Sequence, residues 1–182
     1  MADANTEVDL QAMHDAIVTA ITAQFPDFKT VEFYRDDESE QIATPACLLE
    51  MTEVEPAPVD DAGTGQWPAH PRFDARIIMS ARTPVARMEV RKAAVSFAAW
   101  LNLRRFPGIF TDPCQVIACE PDEFAPHLDR FQVWRIEWIM PAMFGDSAWR
   151  NDGTVPDAWY SFAPDIGVPH EADYLPLDGP AE

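Results

Sequence analysis

Positive charge is scarce in this chain. Thirteen Lys and Arg stand against 31 Asp and Glu in 182 residues, a formal net charge of −18. Phosphate backbones are held by clusters of Lys and Arg and repelled by carboxylates, so a nucleic-acid-binding surface is not expected. Attachment to an anionic membrane surface is disfavoured for the same reason. Cysteine is scarce too. Cys47, Cys114 and Cys119 form no disulfide framework, which fits a reducing compartment. No apolar run approaches the roughly 20 residues that span a bilayer. The opening MADANTEVDL has no basic segment followed by an apolar one, so no signal peptide is expected and the chain belongs in a cytoplasm-like space.

Familiar catalytic motifs are also missing. The chain has no G-x-S-x-G, no G-x-G-x-x-G and no P-loop. The GTG at 63–65 is followed by no helix start, so it cannot cradle a phosphate. His14, His70, His127 and His170 never pair at metal-ligand spacing, and each reads as an ordinary surface or packing residue. Cys114 and Cys119 differ by five positions, which on a regular strand puts them on opposite faces and excludes a shared metal. Cys47 and Cys119 read as small buried hydrophobes. Glu120, Asp122 and Glu123 cluster in EPDEF, where a solvated acidic turn is the simpler reading and a divalent-metal enzyme the alternative. No cofactor, metal or catalytic residue is expected.

What is present is a core. Apolar residues make up 47% of the chain, enough for one domain of this length. Leu10, Met13, Ile17 and Ile21 recur at helical spacing, predicting a helix over 8–24 that Pro26 ends. TVEFY at 30–34 and PACLLEMTEVE at 45–55 read as strands. Residues 56–71 are proline-rich and aperiodic, predicting a long loop around Trp67. RFDARIIMSA at 72–81 alternates as a strand, with Phe73, Ala75, Ile77 and Met79 on one face. A second helix is predicted over 84–104, with Pro84 at its first position and Ala86, Val90, Ala94, Phe97 and Leu101 inward. Strands at 115–120 and 131–140 follow. The order α-β-β-β-α-β-β is that of an α+β domain, with one mixed or antiparallel sheet of about five strands and two helices on one face.

The last strand poses a problem. In RFQVWRIEWIM, at 130–140, Trp134, Ile136, Trp138 and Met140 share one face. Phe131, Val133, Arg135, Glu137 and Ile139 share the other, half apolar and half charged. Two helices cover one face of such a sheet, so the other must meet water, the C-terminal segment or another chain, and Phe131, Val133 and Ile139 make water alone the poorest of the three. That segment is expected to be an acidic, proline-rich arm, 146–182, beyond a domain spanning 1–145. Its eight acidic residues and single Arg150 come with Trp149, Trp159, Tyr160, Phe162 and Tyr174. Free tails are poor in aromatics, so Trp149, Trp159 and Tyr160 are expected to dock on a surface.

Eight of the 13 basic residues fall within 72–105. Two readings compete. They neutralise carboxylates within the chain, or they meet acidic surface on another copy through a heterologous contact. Arg87, Arg91 and Arg104, with Trp67, are the candidates for contacts between copies.

The combined pattern resembles the small tail terminator, or tail completion, proteins of long-tailed bacteriophages. It is carried by AIVTAITAQFPDFKTVEFY, TPACLLEMTEVE, a Trp-containing loop, FDARIIMSA, a helix ending AAWLN, and DRFQVWRIEW, roughly 10–140. The resemblance implies a non-enzymatic virion protein, assembled in the host cytoplasm, with a sheet and two helices. It implies a homo-oligomer, a hexameric ring on the tail tube protein, that ends tube polymerisation and meets a head–tail connector or stopper protein. DNA would pass through without specific binding, and lumenal carboxylates would keep it from sticking. A connector or stopper, and an acidic DNA-mimic binding module, are the alternatives.

Overall fold

A computed structural model describes residues 8–34, 42–122, 130–148 and 159–176. Contacts divide the chain into two compact units, Met1–Trp149 and Arg150–Glu182.

The first unit is α+β. Its first helix, α1 (Leu10–Gln24), starts where the Asp9 side chain accepts a hydrogen bond from the Ala12 N–H at 2.6 Å. Met13, Ile17 and Ile21 are its buried stripe. Leu10, expected in that stripe, is exposed: the cap makes it the first helical residue, and Val8 is buried in its stead. The helix stops at Phe25, which adopts a non-helical conformation ahead of Pro26. The second helix, α2 (Ala86–Leu101), buries Ala86, Val90, Ala94, Phe97 and Leu101. It is shorter than predicted at both ends. Val85, not Pro84, leads into it, in a left-handed conformation. Arg104 lies beyond its last turn and is not a helix residue.

Strands β1 (Thr30–Phe33), β2 (Ala46–Pro56), β3 (Trp67–Ser80), β4 (Gln115–Pro121), β5 (Phe131–Ile139) and β6 (Ala142–Phe144) form one mixed sheet. The order is β1-β2-β3-β5-β4, with β6 extending along β3. Only β1 and β2 run parallel; the other pairings are antiparallel.

The expected loop at 56–71 holds up to Gln66, and its last five residues, 67–71, are strand. β3 begins at Trp67, five residues before the alternation becomes legible. Prolines hid it, yet they keep their carbonyls. Pro68 O accepts from Ala57 N at 2.9 Å and Pro71 O from Met140 N at 3.0 Å, so the ladder continues through them.

Both helices pack on one face of the sheet. Met13, Ile17 and Ile21 from α1, and Val90, Phe97 and Leu101 from α2, join Phe73, Ile77, Ile136 and Trp138 in one core. Phe73 stacks on Trp138, with ring centroids 5.3 Å apart. Cys114 and Cys119 both lie against this core rather than on opposite faces. A register shift between Val116 and Ala118 adds a residue to β4 and reverses the alternation beyond it.

The second unit holds β7 (Trp159–Tyr160) paired antiparallel with β8 (Leu175–Pro176), and a 3-10 segment Val168–Asp173 between them. Among the described residues, no helix is long and apolar enough to cross a membrane.

Candidate functional site

Along β3 and β5, the residues between core positions point to the sheet face opposite α1 and α2. On that face the register builds rows of charge. Glu50, Asp74 and Glu137 stand opposite one another on β2, β3 and β5. Arg76, Arg135 and Glu120 form the adjacent row on β3, β5 and β4. Arg72 sits on the far side of the carboxylate row, opposite Glu53 and Ile139.

Each arginine serves several carboxylates. Arg72 binds Glu137, bonds Glu55 at 2.8 Å and lies 2.7 Å from Glu53 without hydrogen-bond alignment. Arg76 bonds Glu50 at 2.9 Å and Asp122 at 3.0 Å. Arg135 bonds Glu120 at 2.6 Å and Asp74 at 3.3 Å, and lies 3.3 Å from Glu137. Their bonds hold the guanidinium groups of Arg72 and Arg135 firmly charged. For Arg76 burial works the other way, and the bonds to Glu50 and Asp122 outweigh it. Asp74 is 2% exposed, and burial pushes its carboxyl up despite the pull of Arg135 and Arg76. Three arginines meet seven carboxylates here, so the face keeps negative charge.

Phe131, Val133 and Ile139 lie on this same face and are half-buried. The neutralising role foreseen for the basic band therefore holds for Arg72, Arg76, Lys92 and Arg105, Lys92 being paired with Glu89 at 2.8 Å and Arg105 with Asp112 at 3.2 Å. Glu120 and Asp122 of the acidic turn are held by Arg135 and Arg76; Glu123 lies outside the described residues.

The remaining candidates are dispersed. Trp67 is half exposed, its ring 5.9 Å from Phe144. Arg87 and Arg91 are exposed along the flank of α2, where Arg91 bonds the Arg87 carbonyl at 2.5 Å and sits 5.5 Å over Trp134 on the helix-covered face of the sheet. Arg104 stacks on Trp100 at 4.2 Å. Trp159 and Tyr160 are exposed on β7, and Trp149 lies outside the described residues.

Two grooves lie among the described residues. One, of about 530 Å³, is lined by His70, Asp60, Arg105, Phe110 and Asp112 among others, with His70 Nε2 2.6 Å from Asp60. The other, of about 280 Å³, runs past His14 and Tyr34. His14 Nδ1 donates to the Leu10 carbonyl at 2.5 Å, which leaves Nε2 to accept from the Tyr34 hydroxyl at 2.9 Å. Among the described residues, no three His, Cys, Asp or Glu side chains are placed to hold a metal ion.

The charge rows were missed in the sequence, yet a signal was there. Arg72, Asp74 and Arg76 alternate on one strand, and Arg135 and Glu137 on another. Antiparallel pairing of such strands sets opposite charges diagonally. No model of a known protein family matches the chain, and no curated protein is significantly similar to it in sequence.

Proposed function

We propose that this chain is a structural subunit of a homo-oligomeric ring at the head-proximal end of a phage tail tube. In that role it ends tube polymerisation and joins the tube to the head connector, without catalysing a reaction. The observation that carries the proposal is the two-sided character of the sheet. One face is closed by helices. The other holds Phe131, Val133 and Ile139, half-buried beside a network with surplus carboxylates. Apolar residues next to charges on one continuous face suit burial against another protein better than burial in a monomer's core. The order of elements, with two helices on one side of a mixed sheet, agrees with the resemblance to tail terminators. The charge of −18 suits a ring through which DNA passes without sticking.

The test is to inactivate the gene in its own genome and image the lysate by electron microscopy. Overlong or variable tubes detached from filled heads are the expected result. Tails of normal length beside DNA-leaking heads would assign the chain to the connector instead. Intact infectious particles would remove it from virion assembly altogether and favour a DNA-mimic role.

A further inference from the structure

The outer side of α2 differs from the rest of this acidic molecule. Arg87, Arg91 and Lys92 are exposed on α2 and Arg82 on the turn before it, with one carboxylate among them, Glu89, which pairs with Lys92 at 2.8 Å. Met88, Val95 and Ala99 recur there at heptad-like spacing, on the side turned away from the core. Met88 is 54% exposed and Val95 59%. The helix therefore carries two apolar stripes, and only the inner one is covered by the described residues.

Its ends add a second, independent oddity. Val85 and Leu103 bracket α2, both with left-handed backbones, at φ 50° and φ 62°. Both are largely exposed. A β-branched or bulky side chain is disfavoured there, and a lone monomer gains no packing from either. Strained, exposed and apolar residues at both ends of a basic helix mark a surface made for contact.

The complement lies on the opposite side of the same sheet. That face has surplus carboxylates and half-buried Phe131, Val133 and Ile139. We infer that the outer side of α2 in one copy packs on the sheet face opposite the helices of the next. This deepens the ring reading and rests on it. Opposite charge and shared apolar character fit the two surfaces to each other. They lie on opposite sides of one domain, so the contact is heterologous: it runs head to tail and closes into a ring when the rotation allows.

The test uses the full chain and two one-sided variants. Arg87→Glu with Met88→Asp disables the helix side at exposed positions. Phe131→Asp disables the sheet side, and thermal melting by circular dichroism checks its fold. Glu53→Gln with Glu120→Gln serves as a second sheet-side variant, since both carboxylates are about half exposed in their ion pairs. Light scattering after size exclusion reads the assembly.

The wild type is expected to assemble, and each variant to do so at least tenfold more weakly. Mixed one to one, a helix-side and a sheet-side variant should pair into a dimer and stop, because one good surface remains on each. Variants that assemble as well as wild type would overturn this contact and leave the ring reading standing. Variants that lose assembly but never pair on mixing would mean that like surfaces meet, which overturns the head-to-tail contact. A wild type that stays monomeric at every concentration would remove the ring reading itself.

Discussion

Asp74 and Glu137 are direct partners across β3 and β5, two carboxylates facing each other on neighbouring strands. Like charges so placed repel. Arg135 spans them, 3.3 Å from each, and Arg72 holds Glu137 from the far side. Asp74 is the less comfortable of the two. Its Oδ1 is buried and has no hydrogen-bond partner among the described residues. A buried charge of this kind is retained only because several cations surround it.

The charge on Asp74 should therefore cost stability at neutral pH. Burial raises its folded-state pKa above the ordinary carboxylate value. At low pH the group is protonated in both folded and unfolded chains, and the cost is absent. As pH climbs past about 4, the unfolded chain releases its proton first, so stability falls until the folded pKa is passed. Asp74→Asn keeps the shape without the charge. Urea unfolding at a series of pH values should show the variant close to wild type in acid and gaining on it above pH 4, then levelling off. Arg76 and Arg135 keep Glu50, Asp122 and Glu120 as partners in the variant. A stability gap that does not change with pH would refute the account.

One residue away on each strand, the same register places Phe73 opposite Trp138 on the core side. Both are fully buried and stacked, with ring planes 15° apart. Phe97 and Phe33 also touch this pair. Phe73→Ala leaves a cavity that helices on one side and the sheet on the other cannot easily close. It should cost about 3–5 kcal/mol by denaturant unfolding, with Trp138 fluorescence reporting the loosened site. A loss well under 1 kcal/mol would mean that the two rings do not share one packed core.

The helices and the core faces of the strands were legible because they rest on period alone. Val90, Ala94, Phe97 and Leu101 follow the helical period, and Ile136, Trp138 and Met140 the strand period, and each side chain goes where the period sends it. What periodicity could not carry was the effect of a single inserted residue or a proline. The β4 bulge brings Cys114 and Cys119 to one side. Pro68 and Pro71 gave the look of a loop to a strand that bonds through its carbonyls. The charge rows were legible only as alternation along single strands, for a different reason. Glu50, Asp74 and Glu137 are far apart in the chain, and only register sets them side by side. Arg104 was placed on a helix that ends before it, since nothing in LNLRR marks the left-handed turn at Leu103.

The three thiols should separate by reactivity. Cys47 is fully buried, and burial pushes its thiol far above the usual range. Burial likewise pushes Cys114 up to about 12. Cys119 is only partly buried, and its rise has the same cause. The thiolate is the reactive form, so little of any of them is available at neutral pH. Mass spectrometry after maleimide treatment at pH 7 should find Cys47 and Cys114 unlabelled and Cys119 labelled slowly. In urea all three should label at ordinary rates. Fast labelling of Cys114 in the folded chain would contradict its place in the core.

Val85 and Leu103 allow stability and assembly to be moved in opposite directions. Both hold a left-handed backbone, which Asn tolerates far better than Val or Leu. Val85→Asn should raise stability, by about 1 kcal/mol at most, because its exposed side chain contributes nothing to the folded core. Leu103→Asn should act in the same direction. If the helix side of α2 meets another copy, each variant also removes apolar contact from that surface, and assembly weakens while the melting temperature of the dilute monomer rises. A monomer with no use for these side chains would show the first effect alone. Melting at a dilution where the chain is monomeric, set beside oligomer mass at high concentration, distinguishes the two, since strain relief cannot by itself dissociate an oligomer.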